Sequence, residues 1–256
     1  MINVLAIGDV VGKEGCSFLR QHLPEFRKKN QIDLVIANGE NSAVGNGILP
    51  SSAEDLFVSG VDIITTGNHV YKRREIYPYL DENPFIVRPA NYPAGGYGKG
   101  VCIYDAGRYR VAVVNLQGTV YMDSLDCPFR TMDKLLKEID TPLVLVDFHA
   151  EATSEKNALG YYLDGRVSAV FGTHTHVPTS DERILPKGTG YVTDLGMTGP
   201  IDSVLGVNPE NVIDRFLTKL PTRFETAKSA CKIDGILLQI EKNTGKCRNI
   251  SRICII

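Results

Sequence analysis

Five short apolar runs in this sequence each end in polar side chains that can bind a metal ion. Four of the five histidines lie in these clusters. Strands of an open α/β sheet present their carboxyl ends to one crevice, so segments that are far apart in sequence can converge there. The pattern therefore predicts an α/β fold with a multinuclear metal site. The clusters are Gly8-Asp9, Asn38-Gly39-Glu40-Asn41, Gly67-Asn68-His69, His149 and Gly172-Thr173-His174-Thr175-His176.

The length and composition fit one large α/β domain over residues 1–256. Hydrophobic residues make up 43% and charged residues 23% of the chain, and the formal net charge is -2. These values are ordinary for a globular protein. The sequence has no long basic run of the kind that grips nucleic acid, so charge does not indicate RNA as a partner. We expect a small substrate or a chain end instead, and a homo-oligomer is left open.

The amino-terminal segment from Met1 to Asp9 is interpreted as a first core strand, because it lacks a basic leader and a long hydrophobic region. No stretch approaches the ~18 to 20 apolar residues that cross a bilayer. We therefore expect a cytoplasmic protein without a membrane partner. The six cysteines include no C-x-x-C pair, which indicates reduced and mostly buried thiols.

Predicted helices and strands alternate along the rest of the chain. Residues 16–29 have apolar side chains at helical spacing, although we expect Pro24 to distort that helix. A second helix is predicted near Ser51, which has the spacing of a capping box with Glu54. The other predictions are strands over 84–88, 101–105 and 110–116 and near 184 and 191, loops over 89–100 and 196–206, a helix from about Pro209, and a final hairpin of 233–241 with 247–256.

The strongest local signal is the pair His174 and His176. In an extended segment, residues i and i+2 project to the same side, so both imidazoles can approach one metal cluster. The alternative interpretation is two polar histidines at the end of a strand. The other four clusters favour the metal site.

Each remaining cluster also has a structural interpretation. His149 follows a buried strand and could be a core histidine, whereas Asp9 and Glu40 could cap helix amino termini. Cations would relieve the cost of burying these two carboxylates. Asn68 offers an amide oxygen and His69 an adjacent imidazole, although the same residues could form a turn.

The order of these clusters resembles that of the calcineurin-like metallophosphoesterases. The first motif differs from the usual Asp-x-His, because Val11 stands in place of the histidine, and Glu40 occupies the position of the bridging aspartate. Asn41 can replace the missing histidine as an oxygen ligand. The YmdB-type bacterial phosphodiesterase family shares these changes, so they favour that branch over an inactive site. Further similarity to that family lies in Arg88 to Pro93, Asp147 to Glu151, Asp164 to Thr179 and Thr193 to Pro200.

The resemblance implies a four-layer αββα sandwich and two metal ions. One ion would be bound by Asp9, Glu40, Asn41 and His176. The second would be bound by Glu40, Asn68, His149 and His174, so that Glu40 bridges the pair. Nitrogen ligands together with carboxylate and amide oxygens suit transition metals better than magnesium. The family resemblance favours iron, with manganese or zinc as alternatives.

The implied activity is hydrolysis of small cyclic nucleotides by a hydroxide shared between the two metals. The expected substrates are 2',3'-cyclic nucleotides, with 3',5'-cAMP as a further candidate. His69 is expected to protonate or orient the leaving oxygen, and Arg88 and Asn91 are candidates for substrate contact. The alternatives are a phosphomonoesterase, a nuclease acting on RNA ends, and a regulatory protein that binds metal or nucleotide without turnover.

Overall fold

The computed structural model describes residues 1–256, in which strands and helices alternate over much of the chain. The strands are β1 (Ile2–Ile7), β2 (Asp9–Val10), β3 (Leu34–Asn38), β4 (Ile63–Thr65), β5 (Ile86–Val87), β6 (Val101–Asp105), β7 (Arg110–Gln117), β8 (Val144–His149), β9 (Ala169–Thr173), β10 (Arg183–Ile184), β11 (Gly190–Val192), β12 (Met197–Pro200), β13 (Cys231–Ile240) and β14 (Cys247–Ile255). The helices are α1 (Gly12–Lys29), α2 (Pro50–Val58), α3 (Ile76–Glu82), α4 (Pro128–Leu135), α5 (Thr153–Leu163) and α6 (Pro209–Thr218).

The strands form two sheets. The first has eight strands in the order β2-β12-β13-β1-β3-β4-β5, with β14 also paired to β13. The second has six strands in the order β10-β11-β9-β8-β7-β6. Strands β1, β3, β4 and β5 are parallel to one another, and so are β7, β8, β9 and β11. Each sheet therefore presents several strand carboxyl ends at one edge.

Three buried apolar clusters define the layers. One lies between the sheets and joins inward-facing residues of the first, such as Val4 and Ile36, to residues of the second, such as Val113 and Leu145. The other face of the first sheet packs against α1, α2 and α3, and the other face of the second packs against α4 and α5. This arrangement confirms the α/β class and the four-layer αββα sandwich.

Helix α1 begins earlier than predicted and continues through Pro24. Its buried face contains Gly15, Cys16, Leu19 and Leu23 at helical spacing. Pro24 is exposed and does not end the helix, which runs on to Lys29.

Two local predictions are wrong. Helix α2 lies near Ser51 as predicted, but the capping box of Ser51 with Glu54 does not form. The helix begins at Pro50, and the hydroxyl of Ser52 accepts from the N–H of Leu49 and donates to the C=O of Leu49. The predicted loop 196–206 contains β12, which pairs with β13 and β2. A strand of four residues that includes Gly199 and Pro200 lacks the apolar alternation that would reveal it.

Other predictions are confirmed. The final hairpin forms between β13 and β14, and the short strands near 184 and 191 are β10 and β11. All six cysteines are free, and four of them are buried. None of the helices combines the length and the apolar character needed to cross a membrane.

Candidate metal centre

The predicted site residues come together where the carboxyl ends of the two sheets meet. From the first sheet, Asp9 lies in β2, the pair Glu40 and Asn41 follows β3, and the pair Asn68 and His69 follows β4. From the second sheet, His149 ends β8, and His174 and His176 follow β9. The predicted residues converge because parallel strands place these segments side by side.

His149 is fully buried at the middle of the group. Its Nε2 atom lies 3.1 Å from Glu40 Oε1 and 2.9 Å from Asn68 Oδ1. It also lies 3.1 Å from His174 Nδ1. Such separations suit neighbouring ligands of one ion held at about 2.0 to 2.2 Å. Glu40, His149 and His174 can each offer one ligand atom, all within 4.8 Å of one another.

The hydrogen bonds behind His149 determine which of its nitrogens faces the centre. Thr173 donates its hydroxyl proton to Asp147 at 2.7 Å, so Thr173 Oγ1 is left to accept from His149 Nδ1 at 3.0 Å. With Nδ1 protonated, the lone pair of Nε2 meets the oxygens of Glu40 and Asn68. Three acceptor atoms would then face one another, so a proton or a cation has to lie between them. A cation resolves this conflict, so the donor set fits a metal ion.

The pKa values of Glu40 and His149 are shifted because the two side chains lie close together in the buried centre. Burial opposes charge on Glu40, but His149 and His69 outweigh it and lower the pKa of Glu40 to about 2. Burial also opposes charge on His149, but Glu40 and Asp9 outweigh it and raise the pKa of His149 to about 9. Both shifts indicate that the surroundings of Glu40 and His149 favour positive charge between them.

His174 and His176 reach the centre through a turn. Their φ angles are +98° and +63°, so the segment after β9 is a turn and not extended, although both imidazoles approach the buried group. His174 Nε2 lies 3.0 Å from Glu151 Oε2, which leaves Nδ1 facing His149. Burial and the neighbouring His149 lower the pKa of His174 to about 3, so its imidazole is neutral, as a ligand must be.

The second half of the site contains Asp9 and His176. His176 Nδ1 donates a hydrogen bond to the carbonyl oxygen of Leu205 at 3.2 Å. Its Nε2 therefore faces Asp9 Oδ1 at 3.6 Å. The other oxygen of Asp9 accepts the backbone N–H of His174 at 3.1 Å. Because Asp9 is fully buried, its pKa is raised, and a nearby cation would favour its ionised form.

Asn41 faces both His69 and the acidic centre. Its Oδ1 lies 2.9 Å from His69 Nδ1, and its Nδ2 lies 3.3 Å from His176 Nε2. Nδ2 is also 3.5 Å from an oxygen of Asp9 and from one of Glu40. The amide nitrogen thus faces the two carboxylates and the predicted metal position. The amide oxygen and nitrogen of Asn41 have nearly the same shape, so a 180° flip of the side-chain amide exchanges them. The flip would turn Oδ1, the predicted ligand atom, towards the metal position.

His69 lies at the rim of the group with a partly exposed ring. Its backbone N–H donates to Glu40 Oε2 at 2.8 Å, which fixes the carboxylate. Burial lowers the pKa of His69 more than the neighbouring Glu40 raises it, so the ring is neutral near pH 7. This position next to the ligands, with one nitrogen turned to Asn41, is consistent with the leaving-group role predicted for it.

Arg88 and Asn91, the two candidates for substrate contact, are buried and hold the loop over 89–100. Arg88 donates to the carbonyls of Tyr97 and Pro89 at 3.1 and 2.8 Å. Asn91 Nδ2 donates to the carbonyls of Gln117 and Asp126, and its Oδ1 accepts from the N–H of Gln117. These hydrogen bonds to backbone groups hold the loop in place. Contact of Arg88 or Asn91 with substrate stays a prediction.

Two residues support the centre from behind, in roles that were not predicted from the sequence. Asp147 is fully buried in β8 and accepts from the hydroxyls of Thr65 and Thr173. Asn38 donates to the carbonyl of Thr66 at 3.2 Å. Asn38 belongs to one of the five polar clusters, whereas Asp147 is a polar residue inside an apolar strand run, and that irregularity was the available signal. Burial raises the pKa of Asp147 to about 7.

Gly67 is required because the ring of His149 lies against its backbone. A Cβ atom at this position would lie 2.2 Å from the nearest ring atom of His149, far inside contact distance. A side chain here would displace His149 from Asn68, so the glycine of the Gly67-Asn68-His69 cluster serves the packing of the site.

A buried ion pair holds the histidine turn from behind. Lys156 Nζ donates to Asp194 Oδ2 at 2.6 Å and to the carbonyl of Thr173 at 2.9 Å. The same Asp194 oxygen accepts the N–H of Thr175 at 3.2 Å. Both charged side chains are nearly inaccessible to solvent. The pair therefore joins helix α5 to the segment that positions His174 and His176.

We expect Lys156→Met to lower the free energy of unfolding by about 3 to 5 kcal/mol, because it leaves the carboxylate of Asp194 buried without its partner. Urea unfolding monitored by circular dichroism measures the loss. The matched control is Arg110→Met, which breaks an exposed pair with Asp140 at 3.0 Å and should cost about 1 kcal/mol or less. Equal losses in the two variants would contradict a structural role for the buried pair.

The family comparison covers nearly the whole chain. The model of the YmdB-like protein family matches residues 5–253. A 2',3'-cyclic-nucleotide 2'-phosphodiesterase of Bacillus subtilis (strain 168) is 47% identical over 256 residues, which cover 99% of this chain and 97% of that relative.

Two solved structures share the fold throughout. A hypothetical protein from Thermus thermophilus superposes with a TM-score of 0.94 at 46% identity, covering 99% of both chains. The structure described as a novel phosphatase from Mycoplasma pneumoniae also has a TM-score of 0.94, at 37% identity, and the match covers 99% of this chain and 93% of that one. The whole domain is therefore common to these proteins.

Proposed function

The chain belongs to the YmdB-like family, and on that premise we propose that it is a metal-dependent phosphodiesterase that opens 2',3'-cyclic nucleotides at the 2' position. The observation that carries the proposal is the convergence at His149, where Glu40 Oε1, Asn68 Oδ1 and His174 Nδ1 lie 3.1, 2.9 and 3.1 Å from Nε2. The name of the Bacillus subtilis relative supplies the substrate class.

Two metal ions fit the proposed centre. Asp9, Asn41 and His176 would hold one, and Asn68, His149 and His174 the other, with Glu40 between them. When bound, the ions supply the positive charge that activates a water molecule and stabilises charge developing on the phosphoryl oxygens. The mixed nitrogen and oxygen donors favour iron, manganese or zinc over magnesium.

The protein's own residues control the proton that the leaving oxygen needs. If Asn41 turns its oxygen towards the metal position, its Nδ2 donates to His69 Nδ1. A neutral His69 then carries its proton on Nε2, the nitrogen that does not face Asn41. A neutral imidazole can thus act as a donor, which agrees with the lowered pKa of His69. This coupling gives Asn41 two tasks, as a metal ligand and as the residue that sets the His69 tautomer.

A panel of substrates tests the proposal. We expect protein purified without oxygen to contain iron or manganese and to convert 2',3'-cAMP into adenosine 3'-phosphate, because the bond to the 2' oxygen breaks. Chelation should abolish turnover, and added manganese should restore it. Liquid chromatography with the two adenosine monophosphate standards identifies the product. Turnover that is unchanged by complete metal removal, or adenosine 2'-phosphate as the main product, would contradict the proposal.

A phosphomonoesterase is the second candidate, because the similar Mycoplasma pneumoniae structure is described as a phosphatase. Comparing bis-p-nitrophenyl phosphate with p-nitrophenyl phosphate separates the two activities. The diester should be hydrolysed with the higher kcat/KM. A clear preference for the monoester would favour the phosphatase.

A further inference from the structure

A cleft of about 330 Å³ opens beside the candidate metal centre. Asn41 and His176 form its inner end, next to the proposed reaction site. Its outer walls are the segments 205–207 and 223–226. The volume is within the range of sites for small molecules. A ligand that occupies the cleft would therefore have one end at the metal centre and the other against residues that the reaction does not use.

One wall of the cleft is tied to the centre. Leu205, whose φ of +55° is unusual for a leucine, holds His176 Nδ1 through its carbonyl oxygen at 3.2 Å. Gly206 follows with a φ of +92°, and a Cβ atom there would lie 2.6 Å from the side chain of Val11. The chain thus turns sharply at the cleft, and the glycine lets the side chain of Val11 pack against its backbone.

The outer end offers a flat apolar face and a free cation. Phe224 is 48% exposed although it is a large aromatic residue. Arg223 is exposed and makes no hydrogen bond or ion pair through its guanidinium group. Nucleic-acid bases stack on both kinds of planar group. Glu225, which also lines this end, would repel a second phosphate but can accept from the amino group of a base.

We propose that the cleft is the nucleoside subsite of the enzyme, with the base stacked on Phe224 beside Arg223 and the cyclic phosphate at the metal centre. The inference rests on the proposed function and adds a binding determinant to it. Because the contact is with the base, it distinguishes a nucleotide from any other cyclic phosphodiester. Phe224 and Arg223 are thus specificity residues outside the reaction centre.

The test compares two substrates that differ only in the base. One is 2',3'-cAMP, and the other is methyl riboside 2',3'-cyclic phosphate, which has the same phosphate ring and the same leaving oxygen. For Phe224→Leu we expect the KM for 2',3'-cAMP to rise about 10-fold, since stacking on an aromatic ring provides an affinity of this order. Its kcat should stay within about 2-fold. The KM for the methyl riboside should not change.

Further variants separate stacking from other effects. Phe224→Trp should restore the wild-type KM, because it renews the aromatic face. Phe216→Leu removes a 70% exposed aromatic ring that does not line the cleft, and it should leave both substrates unaffected. Calorimetry with adenosine 3'-phosphate supplies a readout without turnover, and its Kd should rise with the KM in Phe224→Leu.

The outcomes distinguish the subsite from the proposed function. If metal-loaded wild-type protein hydrolyses both substrates but Phe224→Leu changes neither KM, or changes both equally, the subsite is wrong and the phosphodiesterase stands. If the wild-type protein hydrolyses neither substrate, both proposals are wrong. A 10-fold effect confined to the nucleotide supports both.

Discussion

Replacing Glu40 with glutamine should weaken metal binding at both positions and lower turnover of 2',3'-cAMP by more than about 100-fold. Glu40 is the only carboxylate that faces both halves of the centre, with Oε1 3.1 Å from His149 Nε2 and 3.5 Å from Asn41 Nδ2. Glutamine keeps the shape but removes the charge that compensates the two cations. Metal analysis after gel filtration, together with initial rates, measures both effects.

Glu151→Gln is the matched control for this change. Glu151 is a glutamate that is half exposed and contacts the outer nitrogen of His174 at 3.0 Å. Losing a partner of this kind costs about 10- to 100-fold in metal affinity, so the effect should be smaller and confined to one of the two metals. If Glu40→Gln retained two full metal equivalents and normal activity, the bridging role would be wrong.

Removing the imidazole in His69→Ala should lower kcat for 2',3'-cAMP by about 10²- to 10⁴-fold, the range for a positioned acid or base. Metal content should change little, because the ring lies 2.9 Å from Asn41 and 3.6 Å from Glu40 but is not itself a predicted ligand. The ribose oxygen that leaves is strongly basic and needs a proton. Steady-state kinetics combined with metal analysis measures the two properties separately.

The nature of the leaving group distinguishes between roles for His69. An aryl oxide departs with little help from a proton, so His69→Ala should harm hydrolysis of bis-p-nitrophenyl phosphate much less than hydrolysis of the cyclic nucleotide. Equal losses on both substrates with the metals intact would make His69 a binding or orienting residue. Loss of metal would make it a structural part of the centre.

The fold class and the location of the site could be predicted from the sequence, because both depend on where apolar runs end. The clusters at Asp9, Glu40, Asn68, His149 and His174 mark the carboxyl ends of strands, and parallel pairing brings such ends together. The sandwich itself came from the family resemblance, since strand order does not follow from periodicity.

Other features of the site depend on contacts that no local pattern encodes. Lys156 and Asp194 are 38 residues apart in the chain, and nothing around either residue indicates that they pair in the core. The turn at His174 and His176 has positive φ angles at non-glycine residues, which sequence propensity does not predict. The hydrogen bonds of Asn91 to the backbone of Gln117 and Asp126 also have no local signal, and its contact with substrate stays a prediction.

Anomalous diffraction from crystals soaked in manganese tests the two-metal centre most directly. We predict two peaks about 3.5 to 4 Å apart, one next to Asp9 and His176 and the other next to His149 and His174, with Glu40 contacting both. A single peak in fully loaded protein, or two peaks that do not share Glu40, would contradict the proposed centre.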